Sequence, residues 1–266
     1  MVAGTKSRRA GSRETQTRCS RRLLGNSDLP SETAASIILT MCKQIVVHYY
    51  AAGIRSLGLW FGLWAMSCVG ALDQSVVYRA DLSQAELGKL PSEFMALNGE
   101  FTVKEEGGKR FIELPEAPLD TFQMLFGPPQ KDGITASVRC WGAKRGRLFP
   151  TFAVGLNGQS GHRIQVSPAK GVVELYRGEE AVASRSFAWE TEKWTWLKIE
   201  IVKTGESERT VRGKAWVEGA TEPAEWLVTT TVKEEPINGR SSIWGSPFSG
   251  RPIRFDNLSL TRASAK

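Results

Sequence analysis

From residue 72 to the end, apolar and polar residues alternate with period two, and Gly, Pro, Asn or Asp interrupts the alternation every few residues. That pattern fits strands with one buried face and leaves little room for helices, whose apolar residues recur every three or four positions. It predicts strands over 76–82, 93–97, 100–105, 109–114, 121–126, 134–142, 149–157, 162–167, 171–177, 180–187, 194–203, 210–218, 225–233, 241–245 and 253–261. Glu106-Gly-Gly-Lys109 reads as a hairpin turn and 203–208 as a loop. Ser83-Gln-Ala-Glu86 has the spacing of a capping box and predicts one short helical turn. Many short strands with frequent turns argue for an all-β chain, an antiparallel sandwich or jelly roll.

Parity within the strands separates a core face from an outer face. Ile134, Ala136, Val138 and Cys140 share one face of 134–142, and Arg139 and Trp141 lie on the other. Phe152, Val154 and Leu156 oppose Ala153 and Gly155, and Ile164 and Val166 oppose Arg163 and Gln165. If these three strands are neighbours, Arg139, Trp141, Arg163 and Gln165 surround the small residues Ala153 and Gly155 in a shallow groove. Aromatic rings stack on sugar rings, and Arg and Gln bond hydroxyls, so the groove is a candidate carbohydrate site. An ordinary solvated sheet face is the competing reading. Cys140 shares the core parity and reads as a small buried hydrophobe.

The front of the chain is different. Residues 1–71 carry nine Lys and Arg against three Asp and Glu, whereas residues 72–266 carry twenty-six against twenty-five. The body is therefore nearly neutral and lacks the basic footprint of a nucleic-acid binder. Residues 1–40 read as a disordered basic leader or a mis-assigned start, since they have no apolar periodicity. Residues 41–71 read as a signal peptide. Lys43 and Arg55 precede an uncharged run, Leu57 to Ala71, that ends in the small-residue pattern Val69-Gly70-Ala71. The run is shorter than the roughly 20 residues of a spanning helix, so an uncleaved anchor ranks second. Lipidation at Cys68 ranks third. A secreted or periplasmic location for a single domain over 72–266 follows, with no membrane partner after cleavage.

The second half also carries a recognisable arrangement. Gly161-His-Arg-Ile-Gln-Val166 is followed by Gly171-Val-Val-Glu-Leu-Tyr-Arg177 and Trp194-Thr-Trp-Leu-Lys-Ile-Glu-Ile201. Arg212-Gly-Lys-Ala-Trp216, Glu222-Pro-Ala-Glu-Trp226, Gly239 and Arg254-Phe-Asp-Asn-Leu258 come next. Over about residues 90–262 this resembles the concanavalin A-like lectin/glucanase (laminin-G-like) jelly-roll domains of exported bacterial proteins. Its layout is similar to the 3-keto-disaccharide hydrolase-like group. The resemblance implies two antiparallel sheets, one curved, with ligands on the concave face or its rim. It also implies buried structural roles for Trp194, Trp216 and Trp226.

The glucanases of that superfamily carry a Glu-x-Asp-x-Glu strand, which sets two carboxylates on one face. This sequence has none; Glu200, Glu222 and Glu225 stand outside any such strand. The Asn-Ser-Gly and following Arg of the hydrolase-like group are absent as well. Asp256, with Asp81 as a remote second ligand, is the candidate for a structural calcium of the kind such jelly rolls hold, although calcium takes about 6–8 oxygens. No other cofactor is expected. The leading expectation is a non-catalytic carbohydrate- or surface-binding module. A glycan-processing hydrolase and a structural envelope protein remain open.

Overall fold

The computed structural model describes residues 75–117 and 119–263. The segments expected to be a leader and a signal peptide, with the expected cleavage site, lie outside the described residues.

Among the described residues fifteen strands form, one for each of the fifteen expected. They are β1 (Val76–Arg79), β2 (Met95–Asn98), β3 (Thr102–Glu106), β4 (Lys109–Leu114), β5 (Phe122–Gln130), β6 (Ile134–Trp141), β7 (Thr151–Leu156) and β8 (His162–Ser167). Then follow β9 (Val172–Arg177), β10 (Glu180–Ser186), β11 (Thr195–Lys203), β12 (Arg209–Val217), β13 (Val228–Val232), β14 (Gly239–Ser246) and β15 (Ile253–Arg262). β5 outruns its predicted end through Gly127, Pro128 and Pro129. The short β2 pairs only with Gln123 to Leu125, and the register with β14 shifts beyond Phe126, so the prolines' missing N–H groups break no ladder. The helical turn expected at Ser83 does not form. Asp81 Oδ1 accepts the Ser83 N–H at 2.9 Å and the Leu82 carbonyl accepts the Ala85 N–H at 3.1 Å, which makes a tight turn.

The strands build two antiparallel sheets. The eight-stranded sheet runs β13-β12-β11-β6-β15-β4-β3, with β1 added against the far part of β15. The seven-stranded sheet runs β10-β9-β8-β7-β14-β5-β2. The last two strands of the chain thus lie inside the sheets, β14 between β7 and β5 and β15 between β6 and β4. This is a two-sheet antiparallel jelly-roll sandwich.

The core lies between the inner faces, and the parity reading identified them correctly. Ile134, Ala136, Val138 and Cys140 of β6 are buried, as are Phe152, Val154 and Leu156 of β7 and Ile164 and Val166 of β8. The Cys140 thiol is fully buried and burial pushes its pKa well up, so it packs as a hydrophobe. On β15 the core parity changes from Ile253 and Phe255 to Leu258 and Leu260. A bulge between Asp256 and Ser259, with Asn257 at φ 54°, absorbs the extra residue. The core is aliphatic and Phe-rich. Trp194, Trp216 and Trp226, expected to be buried in it, are not part of it; among the described tryptophans only Trp189 packs against it, partly buried.

Candidate functional site

The outer face of the seven-stranded sheet carries a groove of about 680 Å³. Its floor is one row of register partners across six strands: Asn98, Gln123, Trp244, Ala153, Gln165 and Glu174. Five strand spacings make that row roughly 24 Å long. Phe149, Phe248 and Lys170 stand on the side of the row where β7 begins and β14 ends, Gln159 and Glu179 on the opposite side, and Leu97 on the edge strand β2.

The small residues do the shaping. Gly155 faces the groove side, and a Cβ there would meet Ser242 Oγ at 2.6 Å and Arg163 Cβ at 3.3 Å. Without it, the Arg163 side chain lies over the sheet between two rings. Its guanidinium carbon is 4.4 Å from the Tyr176 ring centroid and 4.7 Å from that of Trp244. Arg163 Nη1 donates to the Gly178 carbonyl, and Nη2 donates to Glu179 at 3.3 Å. Only 8% of Arg163 is exposed, so it works as a strut that sets the Trp244 ring. Trp244 Nε1 donates to Ser242 Oγ at 3.0 Å, which fixes the ring further.

Polar groups flank the ring. Asn98 Oδ1 accepts the Gln123 N–H at 2.7 Å, and Asn98 Nδ2 donates to the Thr121 carbonyl at 2.9 Å. The Gln123 side-chain Nε2 is buried and has no protein partner. Gln165 Nε2 donates to Ser167 Oγ at 3.0 Å, and Ser167 Oγ donates in turn to Glu174 Oε2 at 2.6 Å. Lys170 at 2.9 Å and Tyr176 OH at 3.2 Å complete the Glu174 shell. Burial alone would raise the Glu174 carboxyl, but the hydrogen bonds from Ser167 and Lys170 outweigh it and hold the group below the ordinary range.

Of the four residues assigned to one groove by parity, the structure brings Arg163 and Gln165 together and places Arg139 and Trp141 elsewhere. β6 belongs to the eight-stranded sheet, whereas β7 and β8 belong to the other. Arg139 and Trp141 therefore face solvent on the opposite side of the sandwich. There they join a cover of rings and cations. Arg139 lies over Trp194 at 4.5 Å and Arg254 over Trp141 at 4.6 Å and Phe111 at 4.7 Å. Trp196 and Trp216 stack with centroids 5.8 Å apart, and Arg212 and Lys214 each lie 4.8 Å from Trp226. Carboxylates pair these cations: Asp256 and Glu218 with Arg139, Glu106 and Glu113 with Arg254, Glu200 with Arg212, and Glu222 with Lys198 and Lys214. Glu200, 3% exposed, also accepts from Thr135 at 2.8 Å and is locked as a structural ion.

Asp256 and Asp81 do line one cleft, on the eight-stranded side. Asp256 Oδ2 already accepts from Arg139 Nε at 3.0 Å, and Oδ1 accepts the Asn257 N–H at 2.7 Å. A calcium ion there would have to displace a guanidinium. Among the described residues, no cluster of three or more His, Cys, Asp or Glu is placed to hold a metal.

Trp244, Gln123 and Asn98 were missed by sequence reasoning. A signal existed. In 241–245 Ile243 takes the core parity, which turns Trp244 outward, but the parity reading stopped at residue 167.

The sequence matches no family profile, and no curated protein matches it. Solved structures do match in shape. The carbohydrate recognition domain of Emp47p aligns with a TM-score of 0.50 at 10% identity, covering 73% of this chain and 100% of that one. The catalytic domain of a glycoside hydrolase family 131 protein from Coprinopsis cinerea gives 0.48 at 9%, covering 72% and 96%. Carbohydrate binding module CBM66 from Bacillus subtilis gives 0.42 at 12%, covering 64% and 95%. At such identities the likeness is one of fold: the concanavalin A-like jelly roll.

Proposed function

We propose that the protein is an exported carbohydrate-binding module whose site is the groove on the seven-stranded sheet. The observation that carries the reading is Trp244, fixed by Arg163 and Ser242, with Gln123 next to it in its row on one side and, beyond the small Ala153, Gln165 on the other. A rigid ring buries the apolar face of a sugar at little entropic cost, and Gln123 and Gln165 supply donors and acceptors to hydroxyls. The length of the row suits an extended oligosaccharide rather than a single sugar. The fold, shared with a carbohydrate recognition domain, agrees with this.

Binding without turnover is the form the groove favours. Glycoside hydrolysis needs one carboxyl kept protonated near a second that is ionised. Glu174, beside the groove, is held as a carboxylate by its donors, and Glu179 on the rim is exposed and bonded to Arg163.

A glycan array on the full chain, followed by calorimetry with the best ligand, tests the proposal. Trp244→Ala and Gln165→Ala are expected to weaken binding by tenfold or more, and Trp141→Ala to leave it unchanged. Loss in Trp141→Ala with full affinity in Trp244→Ala would move the site to the other sheet. Release of reducing sugar that disappears in Glu174→Gln would replace the module by a hydrolase.

A further inference from the structure

Two loops at one end of the sandwich form a surface unlike the rest of the molecule. The β6–β7 loop (142–150) and the β14–β15 loop (247–252) both cross between the sheets at the Phe149–Phe248 side of the groove. They touch: a Cβ on Gly250 would lie 2.8 Å from Arg145 Nη2. Lys144, Arg145, Arg147 and Leu148 are exposed on the first loop, and Phe248 and Arg251 on the second.

Elsewhere, many cations near the sheets are neutralised, although Arg79, Lys104 and Arg185 stand singly on their strands without an ion pair among the described residues. Arg110, Arg139, Arg163, Arg177, Arg209 and Arg254 all reach a carboxylate. The side chains of Lys144, Arg145, Arg147 and Arg251 make no ion pair or hydrogen bond among the described residues, and neither loop contains Asp or Glu. Between these free cations stand two large apolar side chains, Leu148 at 48% exposure and Phe248 at 39%. An acid does border the first loop: Glu192 donates its N–H to the Gly142 carbonyl at 2.9 Å. Positive charge is therefore concentrated on the two touching loops.

We infer that these loops dock the sandwich on a bilayer surface bearing anionic lipid headgroups. Cations draw the loops to the surface, and apolar tips enter the headgroup layer, where their burial adds to the attraction. A hydroxyl-rich polyanion would satisfy the four cations but offer Leu148 and Phe248 nothing to bury against, so the combination favours lipid over an acidic polysaccharide. Docked in this way, the groove opens beside the surface. The inference is independent of what the groove binds, and it revises the expectation that the exported domain has no membrane partner.

Co-sedimentation of the full chain with phosphatidylcholine vesicles, with and without phosphatidylglycerol, is the test. Every variant is made in the full chain, so any contribution of the leader is common to all. Wild type should partition at least tenfold more strongly onto the anionic vesicles than onto phosphatidylcholine alone. Arg145→Glu/Arg147→Glu should lose most of that excess, and so should 0.5 M salt, roughly as expected when screening shortens to a few ångströms. Leu148→Asp, an exposed change that leaves the core untouched, should lose it too. The inference fails if both variants partition like wild type. It fails equally if the charge reversal weakens retention on a heparin column while vesicle binding is unchanged, because the loops would then read a polyanionic glycan.

Discussion

The two outer faces of the sandwich are made of the same residue types and end in opposite states. On the eight-stranded sheet, Trp141, Trp194 and Trp226 are each capped by Arg or Lys, and carboxylates hold those caps in place. On the seven-stranded sheet a single Arg163 is inserted between Tyr176 and Trp244, over strand centres occupied by Gly155 and Ala153. Long side chains in every row close the first face. Small residues in the central strand leave the second one open. Tryptophan and arginine on a strand face thus do not by themselves make a site; Arg163 reaches a carboxylate as the capped cations do, and what decides is whether the neighbouring strand leaves room.

The hardest test of the closed face is to remove a cation from it. Arg212→Ala strips the buried Glu200 of its guanidinium and leaves only Thr135 as partner. Urea unfolding should register a loss of about 3–5 kcal/mol, the usual cost of an orphaned buried charge. A loss below 1 kcal/mol would mean that water reaches this face and that it is not closed.

Acid should act on the other sheet. His162 of β8 is buried, and burial first, then the nearby Arg177, pushes its pKa down to about 4. The imidazole is neutral in the folded protein but protonated in the unfolded chain between about pH 4 and 6.5. The unfolded state binds more protons in that window, so stability is full above it and declines as pH falls through it, by up to about 3 kcal/mol. No other histidine lies among the described residues. Comparing wild type with His162→Asn across this range should show the slope vanish in the variant; an unchanged slope would assign it to carboxylates instead.

A smaller effect separates capped rings from core rings. Trp141→Ala and Trp194→Ala should each cost about 1–2 kcal/mol by calorimetry, since each ring loses partial burial and one cation contact but leaves no cavity between the sheets. A much larger loss for Trp194 alone would restore it as a core residue, the role implied by its motif. Smallest of all is Lys170→Ala at the open face. Its ammonium is exposed and Glu174 keeps Ser167 and Tyr176, so the change should be under about 1 kcal/mol.

The sequence made the strands legible because their signal is local. β4 and β8 have the limits that alternation predicts, and the core faces of β6, β7 and β8 follow from parity alone. Strand neighbours are not local. β6 and β7 are consecutive, and consecutive strands usually pair, yet here the chain crosses to the other sheet through Gly142–Pro150. That connection is longer than most hairpin loops, and it parted Arg139 and Trp141 from Arg163 and Gln165. The row that makes the groove joins β14, nearly eighty residues after β8, and no spacing along the chain announces that Trp244 stands beside Ala153. The capping of Trp194 was hidden for the same reason, since its partner Arg139 lies on β6, the neighbour of β11 in the sheet but more than fifty residues away in the chain.

The position of β14 and β15 has a kinetic consequence. Each fills the middle of a sheet, so until residues 239–262 have emerged from the ribosome, β7 lacks its link to β5 and β6 its link to β4. The first described strand, β1, waits for the same segment, because its only partner is β15. Pairings so distant in sequence close slowly. A nascent chain of this design holds back from its native pairing until that segment has been made. The same placement makes the final strand, rather than the first, the one whose truncation would leave both halves of the eight-stranded sheet without a common edge.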